Sequence, residues 1–116
     1  MTPYDTPDFD RISDNLYVGG RLNPDDWYIF ASLNVTVNIN LQAEATDRFV
    51  GTAPEVSLWL PTPDYYGPSV ESLTIGTRFI DMMHRLGRSV YVHCTSGVGR
   101  APALAIAYLV AKGESV

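Results

Sequence analysis

The residues best suited to do chemistry lie together in the run His93-Cys94-Thr95-Ser96-Gly97-Val98-Gly99-Arg100. Cys94 is the only cysteine of the sequence, which rules out an internal disulfide and a multi-cysteine zinc site. Its thiol is then either a small buried group or a nucleophile. Arg100 carries a planar guanidinium that can bind two oxygens of one phosphate. The two residues are therefore candidates for a nucleophile and a phosphate clamp.

The elements predicted around this run would build an anion site. A strand over Ser89–His93 leads into a short loop, and an alanine-rich helix begins at Arg100. Loop N–H groups can converge on one point, while the helix N-terminus adds unsatisfied donors and a partial positive charge. We expect Gly97 and Gly99 to allow backbone angles and close approaches that side chains would block. The same surroundings should keep Cys94 ionised at neutral pH.

The string HCTSGVGR resembles the signature of the cysteine-based protein phosphatases, and ISDNLYVGG and LNVTVNINLQAE are similar to early strands of their dual-specificity group. The resemblance implies that Cys94 attacks phosphorus to form a phosphocysteine, that Arg100 stabilises the transition state, and that His93 positions the loop and tunes the cysteine. It also implies a set of phosphate-binding residues: Thr95, Ser96, Gly97, Val98, Gly99 and Arg100.

A departing alkoxide or phenoxide needs a proton, so a carboxylic acid is expected on a loop opposite the thiolate. Asp64 follows a predicted strand and a proline-rich stretch and precedes Cys94 by thirty residues, which is the place of the general acid in dual-specificity phosphatases. The competing interpretation of Asp64 is an ordinary turn residue after Pro63. Asp81, in the next predicted helix, is expected to be a surface charge.

Two features depart from the family pattern. The residue after the signature arginine is Ala101, where the family commonly has Ser or Thr, and the same GRAP variant occurs in plant-type glucan phosphatases. The chain also ends at Val116, soon after the signature helix, where the family usually continues with further helices. Three interpretations stay open: a minimal version, a truncated chain, and a domain that needs a partner to cover its core.

Strands that alternate with helices favour an α/β fold, with a central, mostly parallel sheet flanked by helices as in dual-specificity phosphatases, and a single catalytic domain over residues 1–116. A helix start is predicted at Asn23-Pro24, and the last helix should have Pro102 in its first turn and Gly113 as its cap. The predicted strands cover residues 15–18, 35–41, 56–60 and 89–93, and the predicted helices cover residues 23–33, 70–86 and 100–112.

The amino-acid composition disfavours some classes of binding partner. Acidic residues outnumber basic ones 13 to 8, and the net charge of −5 disfavours binding to nucleic acid or to an anionic membrane. The first ten residues do not resemble a secretory signal, and the longest apolar run, residues 103–111, is too short for a membrane span of about twenty residues. We therefore expect a cytoplasmic protein that needs no metal or cofactor.

The sequence favours hydrolysis of phosphate monoesters, above all phosphotyrosine in proteins, with phosphoserine and phosphothreonine as further substrates. Other readings stay open: a phosphatase for phosphoglucan or another non-protein ester, and a module that binds phosphate without turnover. Inositol phosphates rank low because Thr95, Ser96 and Val98 are uncharged. The physiological substrate and the oligomeric state are not defined by the sequence.

Overall fold

The computed structural model describes residues 7–63 and 67–113. Within that part, the elements in chain order are β1 (Phe9–Ser13), β2 (Leu16–Gly19), α1 (Trp27–Ala31), β3 (Val35–Gln42), β4 (Val56–Thr62), α2 (Val70–Arg85), β5 (Ser89–His93) and α3 (Arg100–Ala111). The five strands form one sheet in the order β1-β2-β5-β3-β4. No helix of this part has the length and apolar character that a membrane span requires.

The sheet is mostly parallel. Strands β2, β5, β3 and β4 run in the same direction, and only β1 pairs antiparallel with its neighbour. Parallel neighbours need a crossover connection. Helix α2 lies in the connection from β4 to β5, whereas residues 43–55, which connect β3 to its parallel neighbour β4, contain no helix. The predicted α/β fold with a mostly parallel sheet flanked by helices is therefore confirmed.

The helices cover both faces of the sheet. On one face α2 and α3 enclose the larger core, to which β3 and β5 contribute Val37, Ile39, Val90 and Val92. These two helices pack closely at Gly76, where an added Cβ would lie 2.6 Å from a methyl carbon of Leu104. On the other face α1 packs against the sheet within an aromatic cluster: Tyr17, Trp27, Phe30 and Tyr91.

Most predicted elements are confirmed to within two residues, but the first helix begins later than predicted. Asn23 was the expected N-cap, whereas the observed N-cap is Asp26. The carboxylate of Asp26 accepts a hydrogen bond from the Asn23 N–H at 2.8 Å, so residues 23–26 close a turn before the helix begins. The helix ends at Ala31, shortly before Asn34 adopts a positive φ of 62°.

Strand β1 was not predicted. Its sequence FDRIS has only two apolar side chains, and its middle residues are exposed at the edge of the sheet. Edge strands often carry charged residues, which weakens the apolar alternation by which strands are detected.

The polar residues of β3 hold the segment that follows this strand. The alternation of apolar and polar residues predicted the strand, but its polar residues Asn38, Asn40 and Gln42 are buried and do not face solvent. Buried amides need partners. Asn38 donates to the Asp47 carboxylate at 2.7 Å, and Asn40 donates to the Ala45 carbonyl at 2.9 Å. The segment that follows β3 is thereby held against the polar side of the strand, at the carboxyl edge of the sheet.

Candidate active site

Cys94 lies immediately after β5 and is only 1% exposed. Its backbone N–H donates to the Gly19 carbonyl at 3.3 Å, which fixes the start of the loop against the end of β2. The Gly97 N–H donates to the Cys94 sulfur, also at 3.3 Å. A donor directed at sulfur stabilises a negatively charged sulfur more than a neutral one. The geometry is therefore suited to a thiolate.

The two loop glycines differ, which corrects one expectation. Gly97 has a φ of 78°, and a Cβ there would lie 2.7 Å from the carbonyl carbon of Gly19 and 2.8 Å from the nitrogen of Gly20. Gly97 thus meets both expected needs, the backbone angle and the close approach. Gly99 has a negative φ, and a Cβ there would meet no atom within 4 Å. The expectation that a side chain at Gly99 would be blocked is wrong, because no other atom of the described residues occupies the space that its Cβ would take.

Arg100 begins α3 and is 2% exposed. Its Nη1 and Nη2 donate to the two carboxylate oxygens of Glu44 at 2.7 and 2.8 Å. Nη1 also donates to the Thr62 carbonyl at 2.8 Å, and Nη2 donates to the Thr95 hydroxyl at 3.2 Å. Hydrogen bonds from Arg100, and secondly from Thr95, lower the pKa of Glu44 well below its usual range. The guanidinium is therefore oriented by acceptors from three segments.

Thr95 connects the loop to the segment after β3. Its hydroxyl donates to the Glu44 carboxylate and accepts a hydrogen bond from the Gln42 side chain at 2.9 Å. Its carbonyl accepts from the Arg21 N–H at 3.2 Å. The loop is thus bound on one side to the residues after β2 and on the other to the residues at the end of β3.

His93 is completely buried next to Cys94 in sequence. Its Nε2 lies 2.6 Å from Oδ2 of Asp47, and its ring stacks on Tyr91 with centroids 5.5 Å apart and an interplanar angle of 15°. Burial raises the pKa of Tyr91, so its hydroxyl stays protonated and donates to the Gly20 carbonyl at 2.5 Å. The histidine is thereby fixed by a carboxylate and an aromatic ring.

Asp64, the predicted general acid, lies outside the described residues. The chain two residues before it is placed at the site, because the Thr62 carbonyl accepts a hydrogen bond from Arg100. Asp81 instead bridges α2 and α3 at the surface, with Arg85 at 2.8 Å and Lys112 at 3.0 Å. Hydrogen bonds from Lys112 and Arg85 lower the pKa of Asp81.

Four site residues were not predicted from the sequence: Gln42, Glu44, Asp47 and Thr62. A usable signal was present, since the carboxyl ends of parallel strands meet at one edge of a sheet and bind ligands there. The polar run directly after β3 and the end of β4 both reach that edge. Sequence position alone did not show which carboxylate faces Arg100 and which faces His93.

Comparisons with known proteins bear on the fold and on the family. The family described as "Dual specificity phosphatase, catalytic domain" matches residues 16–115. Dual specificity protein phosphatase 1-B of Xenopus laevis is 29% identical over 115 residues, covering 94% of this chain and 31% of that protein. Phosphatidylglycerophosphate phosphatase PTPMT1 of Arabidopsis thaliana is 32% identical over 108 residues, covering 88% of this chain and 32% of that protein.

The chain therefore spans about a third of the length of these two relatives. Among solved structures, human DUSP28 superposes with a TM-score of 0.78 at 23% identity, covering 90% of this chain and 73% of that one. At that identity the superposition supports the fold, and the match of residues 16–115 supports the family.

Proposed function

The chain belongs to the dual specificity phosphatase catalytic-domain family, and on that premise we propose that it hydrolyses phosphate monoesters through a phosphocysteine intermediate at Cys94. Its main substrate is phosphotyrosine in proteins, with phosphoserine and phosphothreonine as further substrates. The observation that carries the proposal is a sulfur that accepts the Gly97 N–H at 3.3 Å, in a loop that ends at the buried, oriented Arg100.

In the proposed first step, the Cys94 thiolate attacks phosphorus and the bond from phosphorus to the leaving oxygen breaks. The N–H groups of residues 95–100 and the guanidinium of Arg100 receive the charge on the phosphoryl oxygens. Asp64 donates a proton to the leaving oxygen. In the second step water attacks phosphorus and gives a proton to the Asp64 carboxylate left by the first step, the bond from phosphorus to sulfur breaks, the sulfur leaves as thiolate, and inorganic phosphate is released.

The charges around the loop favour a protein substrate over a strongly anionic one. Beyond the phosphate cradle, Asp8 and Asp10 line a cavity of about 290 Å³ next to residues 96–98. On the other side, the Glu44 carboxylate is 45% exposed. These carboxylates would repel additional phosphate groups on a substrate. A peptide that carries one phosphorylated side chain avoids that repulsion.

A second candidate function is dephosphorylation of a non-protein ester. The observation that favours it is the 32% identity to an Arabidopsis protein named as a phosphatidylglycerophosphate phosphatase. Ala101, which the plant-type glucan phosphatases share, also favours a non-protein substrate, in this case phosphoglucan. A module that binds phosphate without hydrolysis is the non-catalytic alternative, and the presence of Cys94, Arg100 and Asp64 argues against it.

Hydrolysis of p-nitrophenyl phosphate tests the proposal, with Cys94→Ser and Arg100→Lys measured beside the natural protein. Cys94→Ser should lose turnover but still bind inorganic phosphate, because the loop donors and Arg100 remain. Arg100→Lys should lower kcat/KM by about 10- to 100-fold, since a point charge cannot reproduce the bidentate fork. No turnover by the natural protein, together with phosphate binding, would leave the binding module as the function.

Substrate class is decided by comparing phosphotyrosine, phosphoserine and phosphothreonine peptides with phosphatidylglycerophosphate and phosphoglucan at equal phosphate concentration. The proposal predicts the highest kcat/KM for the phosphotyrosine peptide. A higher kcat/KM for either non-protein ester would show that this ester, and not phosphotyrosine in proteins, is the main substrate.

A further inference from the structure

Behind the loop, a buried carboxylate holds the histidine that precedes Cys94. We propose that Asp47 is a positioning residue for this site: it acts through His93 to fix the orientation of Cys94 and of the loop. The inference rests on the proposed role of Cys94 and deepens it by adding a residue outside the signature.

The contact is close and shielded from water. His93 is 0% exposed and Asp47 is 7% exposed in their side chains, and His93 Nε2 lies 2.6 Å from Asp47 Oδ2. The same carboxylate oxygen accepts a second hydrogen bond from the Asn38 side chain at 2.7 Å. Asn38 is itself buried in β3. Asp47 is therefore held by one strand while it holds the end of another.

Burial of this pair is costly, which argues that it has a specific role. Two polar or charged groups removed from water lose hydration that their mutual attraction only partly restores. Packing at this place does not require a carboxylate, since apolar side chains of similar volume often stabilise such sites better. Stability alone therefore does not explain a buried carboxylate at this position, and the neighbour that can use it is the site beside His93.

The contact also selects one tautomer of His93. Among the described residues, the buried Nδ1 of His93 has no hydrogen-bond partner. A proton on Nδ1 would be a buried donor without an acceptor, which costs more than a bare ring nitrogen. The carboxylate offers only acceptors, so the proton lies on Nε2 and points to Asp47. Asp47 thus fixes both the ring orientation and its protonated nitrogen.

The fixed ring is connected to the nucleophile. Tyr91, on which the His93 ring stacks, donates its hydroxyl to the Gly20 carbonyl. The preceding glycine, Gly19, accepts the Cys94 N–H. A displaced imidazole would therefore disturb Cys94 directly through the chain and indirectly through Gly19 and Gly20. Small errors in the position of a nucleophile are costly for rate while leaving the phosphate donors in place.

Two substitutions of Asp47 separate loss of the hydrogen-bond acceptor from loss of the negative charge alone. Asp47→Asn can place its amide oxygen where Oδ2 lies, so it can still accept from both His93 and Asn38. Asp47→Ala removes the acceptor. We expect Asp47→Ala to lower kcat/KM for p-nitrophenyl phosphate by at least about tenfold, and Asp47→Asn to keep at least about a third of the natural kcat/KM, because kcat/KM reports the attack by Cys94 even when breakdown of the intermediate limits kcat. Phosphate, as a competitive inhibitor, should keep its Ki within about threefold in both variants, because its donors are untouched.

A control variant corrects for general loss of stability. Tyr108→Phe removes a buried hydroxyl that lies 2.8 Å from His84 Nδ1, on α3 and outside the proposed machinery. It should lower the melting temperature but leave kcat/KM unchanged. Equal loss of kcat/KM in Tyr108→Phe and Asp47→Ala would overturn the inference, as would a natural kcat/KM in Asp47→Ala.

Two measurements do not depend on turnover and so separate this inference from the proposed function. Long-range proton–nitrogen NMR of the natural protein should show His93 protonated at Nε2 and bare at Nδ1, and the opposite tautomer would overturn the inference. Iodoacetate should inactivate Cys94 about tenfold more slowly in Asp47→Ala than in Tyr108→Phe. Equal rates there would contradict the positioning role even if the natural protein showed no phosphatase activity.

Discussion

At the scale of single residues, acceptors of the protein itself hold the Arg100 guanidinium in one orientation. Glu44, Thr62 and Thr95 each accept from it, and a guanidinium has five N–H donors in a fixed plane. In the proposed role of phosphate clamp, a guanidinium held in this way would lose less side-chain entropy on binding than a mobile one. Because Glu44 neutralises much of the Arg100 charge, the proposed phosphate site would also depend on the loop N–H groups and the N-terminus of α3 for its positive potential in a protein of net charge −5.

Asp64 is tested by its dependence on the leaving group. Asp64→Asn should strongly slow hydrolysis of phenyl phosphate, whose leaving oxygen needs a proton, and affect p-nitrophenyl phosphate much less. Asp81→Asn is the matched control, because Asp81 bridges Arg85 and Lys112 away from the loop. The kcat/KM values for the two esters give the comparison, because they report the step in which the leaving group departs. Equal losses for the two esters in Asp64→Asn would remove Asp64 from the role of acid.

Ala101 is expected to make breakdown of the intermediate slow. It is fully buried in the same core cluster as Cys94, and it offers no hydroxyl to stabilise the departing sulfur. A hydrogen bond to a charged acceptor contributes about 1.5–3 kcal/mol, so its absence could slow the second step by about 10- to 100-fold. Rapid mixing should therefore show a burst of p-nitrophenol in the natural protein, and a smaller burst with faster steady turnover in Ala101→Ser.

The competing donor for that step is Ser96 or water. The Ser96 oxygen accepts from the Val98 N–H at 3.4 Å, which leaves its hydroxyl hydrogen able to donate elsewhere. If Ser96 supplies the hydrogen bond, the natural protein shows no burst and Ala101→Ser turns over no faster.

At the scale of elements, the loop between β5 and α3 depends on one glycine more than on the other. Gly97→Ala forces a side chain into a positive φ and into the backbone of Gly19 and Gly20, so it should lower the free energy of unfolding by at least about 1 kcal/mol. Gly99→Ala is the matched control, because a Cβ there meets open space. Chemical denaturation of both variants gives the difference, and equal stabilities would contradict the close packing of the loop against β2.

The elements that carry the site were the most predictable ones. Strand β5 and the start of α3 follow from the apolar run, the glycine loop and Pro102, all of which are local signals. The start of α1 could not be predicted in the same way, because Asn23 and Asp26 are both favourable N-cap residues. Which of them caps the helix depends on the turn that the Asn23 N–H and the Asp26 carboxylate close between them. β1 is an edge strand whose charged middle residues gave no alternation to read.

At the scale of the whole molecule, Glu44 couples the loop after β3 to α3, and this coupling should depend on pH. Its pKa is lowered from an ordinary value of 4.5, chiefly by the hydrogen bond from Arg100. A carboxyl whose pKa falls on folding contributes stability that is fully present above that ordinary value and is lost as pH falls toward the lowered one. Protonation of Glu44 in acid should therefore weaken the folded state.

The measurement is the difference in melting temperature between the natural protein and Glu44→Gln. It should be constant above about pH 4.5 and shrink at lower pH. Glu55→Gln is the control, since Glu55 pairs with Arg88 at an exposed position. A difference that grows on acidification would contradict the sign of the pKa change.

Long-range contacts explain what the sequence left undetermined. Cys94, His93 and Arg100 lie within eight consecutive residues and could be recognised together. Glu44 and Asp47 precede Arg100 and His93 by 56 and 46 residues, and only the parallel pairing of β3 with β5 brings them there. Register between distant strands depends on tertiary packing, so their roles could not be assigned from local patterns.

Covalent trapping on Cys94 tests the phosphocysteine mechanism most directly. A phosphotyrosine peptide that carries radiolabel in its phosphate is mixed with the protein, the reaction is stopped within the first turnover by rapid denaturation at alkaline pH, and the labelled fragment is identified by mass spectrometry. A phosphocysteine mechanism predicts label on the peptide that contains Cys94 in the natural protein and no label in Cys94→Ser. Turnover without label on Cys94, or turnover retained in Cys94→Ser, would contradict the proposed phosphocysteine mechanism.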